Sequence, residues 1–282
     1  MPIKILCVGD VVGKPGRLAL AEALPKLVAQ HSVDLIIVNA ENVAGGSGIT
    51  PQLYQKIMAL GVDVITLGDH TFRKREIYPV LDSTDRMIRP VNFPPNSPGK
   101  GFTVVKTKSG VPVAVMNLMG RMNMNQQVDE PFGAFDAMLA KLPADVKVKV
   151  LDFHAEVSSE KIAMGWHVDG RISLIYGTHT HTPTADARVL PGGTAFVSDL
   201  GMTGPYDSVL GRRKDRVLKY LTTAMPQFFE VATGDPRVCG IVATIDELGG
   251  QALSIERIDM KTTEQAGAYD ADDGKGGGGG EI

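Results

Sequence analysis

Apolar residues in this chain fall into short runs, each interrupted by at most one charged residue, that end abruptly in polar ones. Residues 3–8 form one run and stop at Gly9-Asp10; residues 35–38 stop at Asn39-Ala40-Glu41-Asn42; residues 62–67 stop at Gly68-Asp69-His70. Runs without polar alternation predict strands buried on both faces, as in a parallel sheet covered by helices. Between the first two runs, Leu18, Ala21, Leu24, Leu27 and Val28 recur at helical spacing. After the second, the turn Gly45-Gly46-Ser47-Gly48 leads to Thr50-Pro51, an N-cap and first helical position, and predicts a helix to about Gly61.

The rest of the chain mixes directions. Residues 148–153 form a buried-type strand ending at His154, and residues 172–176 end at Gly177-Thr178-His179-Thr180-His181. Three segment pairs read as antiparallel hairpins: 102–106 with 111–116, 189–190 with 194–197, and 238–245 with 252–258, each around a glycine-containing turn. So many strands exceed what one open sheet ordinarily carries, so two stacked sheets between helices are expected. Phe132, Phe135, Met138 and Leu139 have helical spacing and read as core. The expected organisation is one domain over residues 1–261 and an acidic, glycine-rich, disordered tail over 262–282, which has too little apolar area to offset ordering entropy.

Composition narrows the function classes. With 29 basic and 32 acidic residues the net charge is −3, which gives no global attraction to nucleic acid or an anionic membrane. No apolar run approaches the roughly 20 residues that span a bilayer, and the N-terminus lacks a signal-peptide pattern. The two cysteines, Cys7 and Cys239, read as reduced, buried thiols of a cytoplasmic protein.

The polar residues at the strand ends carry the chemistry. Asp10, Glu41 with Asn42, Asp69 with His70, His154, and His179 with His181 follow five separate strands, and four of the six histidines belong to the set. Ligands in open α/β sheets gather beyond the carboxyl ends of strands. A single strand-end Asp is ordinarily a helix cap and a lone His a structural hydrogen-bonder; five such ends together point to one site. Imidazole and carboxylate suit divalent transition metals. Leaving His70 aside, three carboxylates, three histidines and one carboxamide exceed what one zinc needs, and a strand-end carboxylate can bridge two ions. In His179-Thr180-His181 the rings either share a side or splay to two neighbouring ions. Gly9-Asp10-Val11-Val12-Gly13-Lys14-Pro15 is one residue short of a P-loop and has Pro15 where Ser or Thr is needed. No Gly-x-Ser-x-Gly elbow is present.

These phrases, with Gly201-Met202-Thr203-Gly204-Pro205-Tyr206-Asp207-Ser208, resemble the YmdB-type branch of the calcineurin-like metallophosphoesterases, over about residues 3–258. The resemblance implies an α/β fold, a four-layer αββα sandwich of two mixed sheets flanked by helices. It implies that Asp10, Asn42 and His181 hold one metal, that Asp69, His154 and His179 hold the second, and that Glu41 bridges them. His70 would be the general acid. The implied cofactors are two divalent or mixed-valence ions, iron or manganese foremost, with zinc acceptable to the same donors. The implied reaction is hydrolysis of a small phosphodiester, 2′,3′-cyclic nucleotides among the candidates, by a hydroxide bridging the metals. A homo-oligomer is compatible with this reading, and a metal-stabilised regulatory scaffold with little turnover is the alternative. One position departs from the family motif Gly-Asn-His: Asp69 stands where Asn is usual. The extra charge would make the cluster less positive and acidify its bound water less, or favour one trivalent iron.

Overall fold

The structure is a computed structural model that describes residues 2–263. The expected tail therefore lies outside the described residues, apart from Thr262 and Thr263. In chain order the first layer is built from β1 (Ile3–Val8), α1 (Gly13–His31), β2 (Leu35–Asn39), α2 (Pro51–Ala59), β3 (Val64–Thr66), α3 (Tyr78–Ser83) and β4 (Met87–Ile88). The strands β1 to β4 are parallel neighbours in that order. Then come β5 (Phe102–Lys106), β6 (Pro112–Met119), α4 (Pro131–Leu139), β7 (Val148–His154), α5 (Ser158–Val168), β8 (Leu174–Thr178), β9 (Arg188–Val189) and β10 (Ala195–Val197). These strands form a second sheet ordered β5-β6-β7-β8-β10-β9, parallel in its middle and antiparallel at both edges. The chain returns to the first sheet through β11 (Gly204–Pro205), α6 (Lys214–Thr223), β12 (Pro236–Ile245) and β13 (Ala252–Lys261), with β12 antiparallel to β1. All three expected hairpins form.

Period-two alternation between two covered faces explains why the runs are mostly apolar. Ile3, Ile5 and Cys7 point inward with Leu35, Ile37 and Val64, where they meet Val113, Val115, Val148, Val150, Leu174 and Tyr176 of the other sheet. Leu6, Val8, Ile36 and Val38 point outward onto Leu20, Leu24 and Leu27 of α1. On the far side, Met116, Leu151, Phe153 and Ile175 pack against Phe135 and Met138 of α4 and Met164 and Val168 of α5. Both faces of both sheets are covered, which gives the four layers, and truncating one of these buried aliphatics to Ala costs about 2–5 kcal/mol.

Two elements are shorter than the pattern suggested. Helix α2 ends at Ala59 because Gly61 takes φ +90°, a left-handed stop. Strand β3 keeps only three residues because Val62 lies before its pairing with β2 begins at Val64. At the start of α2 the Thr50 hydroxyl accepts the Leu53 N–H at 3.2 Å, as its cap position requires.

Candidate metal centre

Each sequence-selected residue arrives where a strand ends, and the two sheets contribute from opposite sides. Asp10 follows β1, Glu41 and Asn42 follow β2, and Asp69 and His70 follow β3. From the second sheet, His154 closes β7 and His179 and His181 follow β8. One ligand atom each from Glu41, Asp69, His154 and His179 lie within 4.8 Å of one another. Asp10 adjoins this group: its Oδ1 is 4.0 Å from His154 Nδ1 and its Oδ2 accepts the His179 N–H at 3.2 Å. Asn42 and His181 form a neighbouring pair, Oδ1 to Nε2 at 3.4 Å. His70 connects the two groups, with Nδ1 3.2 Å from Glu41 Oε1 and 3.1 Å from Asn42 Nδ2. The rings of the His-Thr-His segment splay, because His179 and His181 take φ of +97° and +61°.

Where the protons sit decides what these atoms can hold. Asp152 is buried and accepts the Thr178 hydroxyl at 2.7 Å, together with Asn39 Nδ2 and the Thr66 hydroxyl. Thr178 has then spent its proton, so at 2.9 Å it accepts from His154, and Nδ1 of His154 carries the hydrogen. Assigned this way, His154 turns a lone pair at Nε2 toward Asp69 Oδ1 at 3.0 Å, Glu41 Oε1 at 3.5 Å and His179 Nδ1 at 3.1 Å. His181 is fixed similarly: Nδ1 donates to the Leu210 carbonyl at 3.1 Å, which leaves Nε2 facing the Asn42 oxygen. Acceptors converging on acceptors require positive charge between them, either protons or cations. Buried Asp10 Oδ1, which has no hydrogen-bond partner, adds to the demand. The donor set thus fits metal ions, with the other ring nitrogens of the imidazoles anchored as metal ligands usually are.

Without cations, protons fill that role and titrations shift accordingly. Burial works against the charged His154, but Glu41, Asp69 and Asp10 outweigh it and raise the imidazole to about 10. Burial, with Asp199 and Glu41, lifts Asp10 to about 7 despite His154. Burial also pushes Asp69 and Glu41 upward, yet the neighbouring imidazoles hold both below the ordinary carboxylate range. Burial lowers His181 to about 4.

Several supporting residues had no signal in the sequence. Asp199 accepts from Lys161 Nζ at 2.6 Å and from the Gly201 N–H at 2.8 Å in the interior, and from the half-buried Thr180 hydroxyl at 2.8 Å. It draws Thr180 inward and so turns its two flanking histidines toward the site. Glu156 stands 3.1 Å from His179 Nε2. A cavity of about 450 Å³ opens above the cluster, with His70, Arg73, Gln126 and Leu210 among its lining. Arg17 is buried and donates to the Val43 carbonyl. The glycine turn after β2 is held by Arg212, which donates to the carbonyls of Gly45 and Gly46 at 3.1 and 2.8 Å.

Comparison with known proteins follows the same outline. The model of the YmdB-like protein family matches residues 6–258. A 2′,3′-cyclic-nucleotide 2′-phosphodiesterase of Bacillus subtilis (strain 168) is 44% identical over 256 residues, which is 91% of this chain and 96% of that protein. The crystal structure of a hypothetical protein from Thermus thermophilus superposes with a TM-score of 0.86 at 35% identity, covering 93% of this chain and 100% of that one. A novel phosphatase of Mycoplasma pneumoniae does so with 0.86 at 32% identity, covering 93% and 94%.

Proposed function

Because the chain belongs to the YmdB-like family, we propose that it is a metal-dependent phosphodiesterase that hydrolyses 2′,3′-cyclic nucleotides. The observation that carries the reading is the convergence of Glu41, Asp69, His154 and His179 within 4.8 Å beneath an open cavity. The proposed holders are Asp10, Asn42 and His181 for one ion, Asp69, His154 and His179 for a second, and Glu41 between them. Iron or manganese suits this mixture of imidazole and carboxylate, and zinc fits the same donors. Bound there, such ions supply Lewis-acid stabilisation of phosphate oxygens and make water a stronger nucleophile.

The chain's own groups do the rest. His70 lines the cavity; its Nδ1 is held by Glu41 and Asn42, and its Nε2, 3.6 Å from Asp69 Oδ2, is the nitrogen assigned to the substrate. From that position it can donate a proton to the departing ribose oxygen. Its backbone N–H donates to Glu41 Oε2 at 3.0 Å, so the acid and the central carboxylate are aligned by one short stretch after β3. Arg73, on the cavity wall, offers a guanidinium to a phosphate oxygen. Asp199 and Asp152 hold the imidazoles in place, and pre-set geometry of this kind avoids reorganisation during the reaction.

The test is to load the protein with manganese or iron and follow opening of a 2′,3′-cyclic nucleotide. His70→Ala should keep its metal and lose most turnover, by about 100-fold or more. A metal-loaded wild type that turns over no phosphoester would replace this reading with that of a metal-stabilised scaffold.

A further inference from the structure

One wall of the cavity is apolar, and its most exposed member sits where a leucine is conformationally out of place. Val209 and Arg212 pair as an antiparallel bridge, each N–H bonding the other's carbonyl at 2.9 Å. The two residues between them, Leu210 and Gly211, have φ of +50° and +89°. A two-residue turn with both central residues left-handed favours Asn then Gly, because a longer side chain at the first position crowds the backbone. Gly211 obeys the rule: a Cβ there would lie 2.8 Å from Val12 Cγ1. Leu210 breaks it.

The backbone role of Leu210 does not explain the exception. Its carbonyl fixes the tautomer of His181, but Asn or Gly would present the same carbonyl. What only leucine supplies is an apolar side chain, and the residue is 49% exposed at the rim of the cavity. Val217 and Phe229 continue the same wall, with the Phe229 ring held edge-on by Tyr220 at 5.6 Å. Strain retained at an exposed residue points to a use for it.

We propose that Leu210 is the lip of a nucleobase subsite, covering one face of the base while the phosphate reaches the donor cluster. The assignment rests on the phosphodiesterase reading and deepens it by naming the part of the substrate that the wall recognises. A cyclic nucleotide is polar and anionic at one end and flat and largely apolar at the other, and the cavity is divided the same way. Ribose spans the two ends. Covering a half-exposed leucine with an aromatic ring removes enough apolar surface from water to strengthen binding about tenfold.

The experiment compares wild type with Leu210→Gly and Leu210→Asn, all loaded with manganese. The paired substrates are adenosine 2′,3′-cyclic phosphate and methyl riboside 2′,3′-cyclic phosphate, which keeps the strained diester and lacks the base. Both variants should lower the ratio of kcat/KM for the first to that for the second by about tenfold, through KM. Both should melt no lower than wild type, because Gly and Asn relax the turn. An unchanged ratio overturns the proposal, as does an equal loss on both substrates accompanied by loss of metal, which would mean Leu210 acts only through His181. If wild type hydrolyses neither diester, the phosphodiesterase reading fails separately. Calorimetric binding of adenosine 3′-monophosphate then decides: weaker by about tenfold in Leu210→Gly supports the lip, and equal affinity removes it.

Discussion

Gly68 offers a direct test of how tightly the centre is built. A Cβ added there would fall 2.3 Å from His154 Nε2 and 2.4 Å from the two ring carbons beside it. Ordinary carbon contacts begin near about 3.5 Å, so Gly68→Ala must drive the imidazole back by about 1 Å. The ring has little room to comply. It is fully buried, its Nδ1 is tied to Thr178, and His179 packs edge-on at 4.8 Å. Metal–ligand distances tolerate about 0.2 Å, so a displacement of about 1 Å should empty the position that Nε2 serves. Turnover should fall by about 100-fold or more, as for a comparable misplacement of reacting groups. The assay is elemental analysis after dialysis against manganese, together with diester turnover and a thermal melt. Gly110→Ala is the control: it sits at φ +88° in a remote hairpin with nothing within 4 Å of an added Cβ. It should cost about 1 kcal/mol of stability through backbone strain while keeping its metal. Wild-type metal content and turnover in Gly68→Ala would refute the placement of His154.

Other outcomes follow from the same geometry. Thr178→Val should destabilise the fold by about 1–3 kcal/mol and weaken metal binding, because Asp152 loses a donor and His154 its tautomer lock; Thr178→Ser should restore both, as melts and metal titrations will show. In chelated protein, stability should fall as pH rises from about 7 to about 9. His154 and His70 both have imidazoles raised above the ordinary 6.5, so the folded state binds more protons than the unfolded one across that window. Thermal melts in EDTA should show this decline, and saturating manganese should flatten it; a pH-independent melt of the metal-free protein would contradict the proton-filled cage. Burial pushes the Cys7 thiol well up and the Cys239 thiol to about 11. A thiol-reactive dye at about pH 8 should therefore label neither until denaturant is added.

Legibility of this chain followed the range of the interactions. Strand ends were readable because an apolar run such as residues 3–8 must stop where the chain leaves the sheet, and Asp10 stands at that stop. The splay of the His-Thr-His segment was not readable, because it depends on Asp199, which reaches Thr180 from 19 residues away, and on Lys161, a further 38 from Asp199. Likewise Asp152 reads as one polar interruption in a hydrophobic strand. Only the register of β7 against β8, which sets Asp152 opposite Tyr176 and His154 opposite Thr178, reveals the chain of proton donors. His167, outside the strand-end set, lies 3.1 Å from Asp136 on the surface.

The proposed ligands are shared between layers that make no covalent shortcut to each other. Asp10, Glu41, Asn42 and Asp69 come from loops of the first sheet, and His154, His179 and His181 from the second, so each proposed ion would draw ligands from both sheets. An ion held by both sets would act as a rivet at the strand-end rim of the sandwich, its free energy of binding opposing separation of the halves. Under the proposed assignment, ion supply would then bear on the stability of the folded chain as well as on its chemistry.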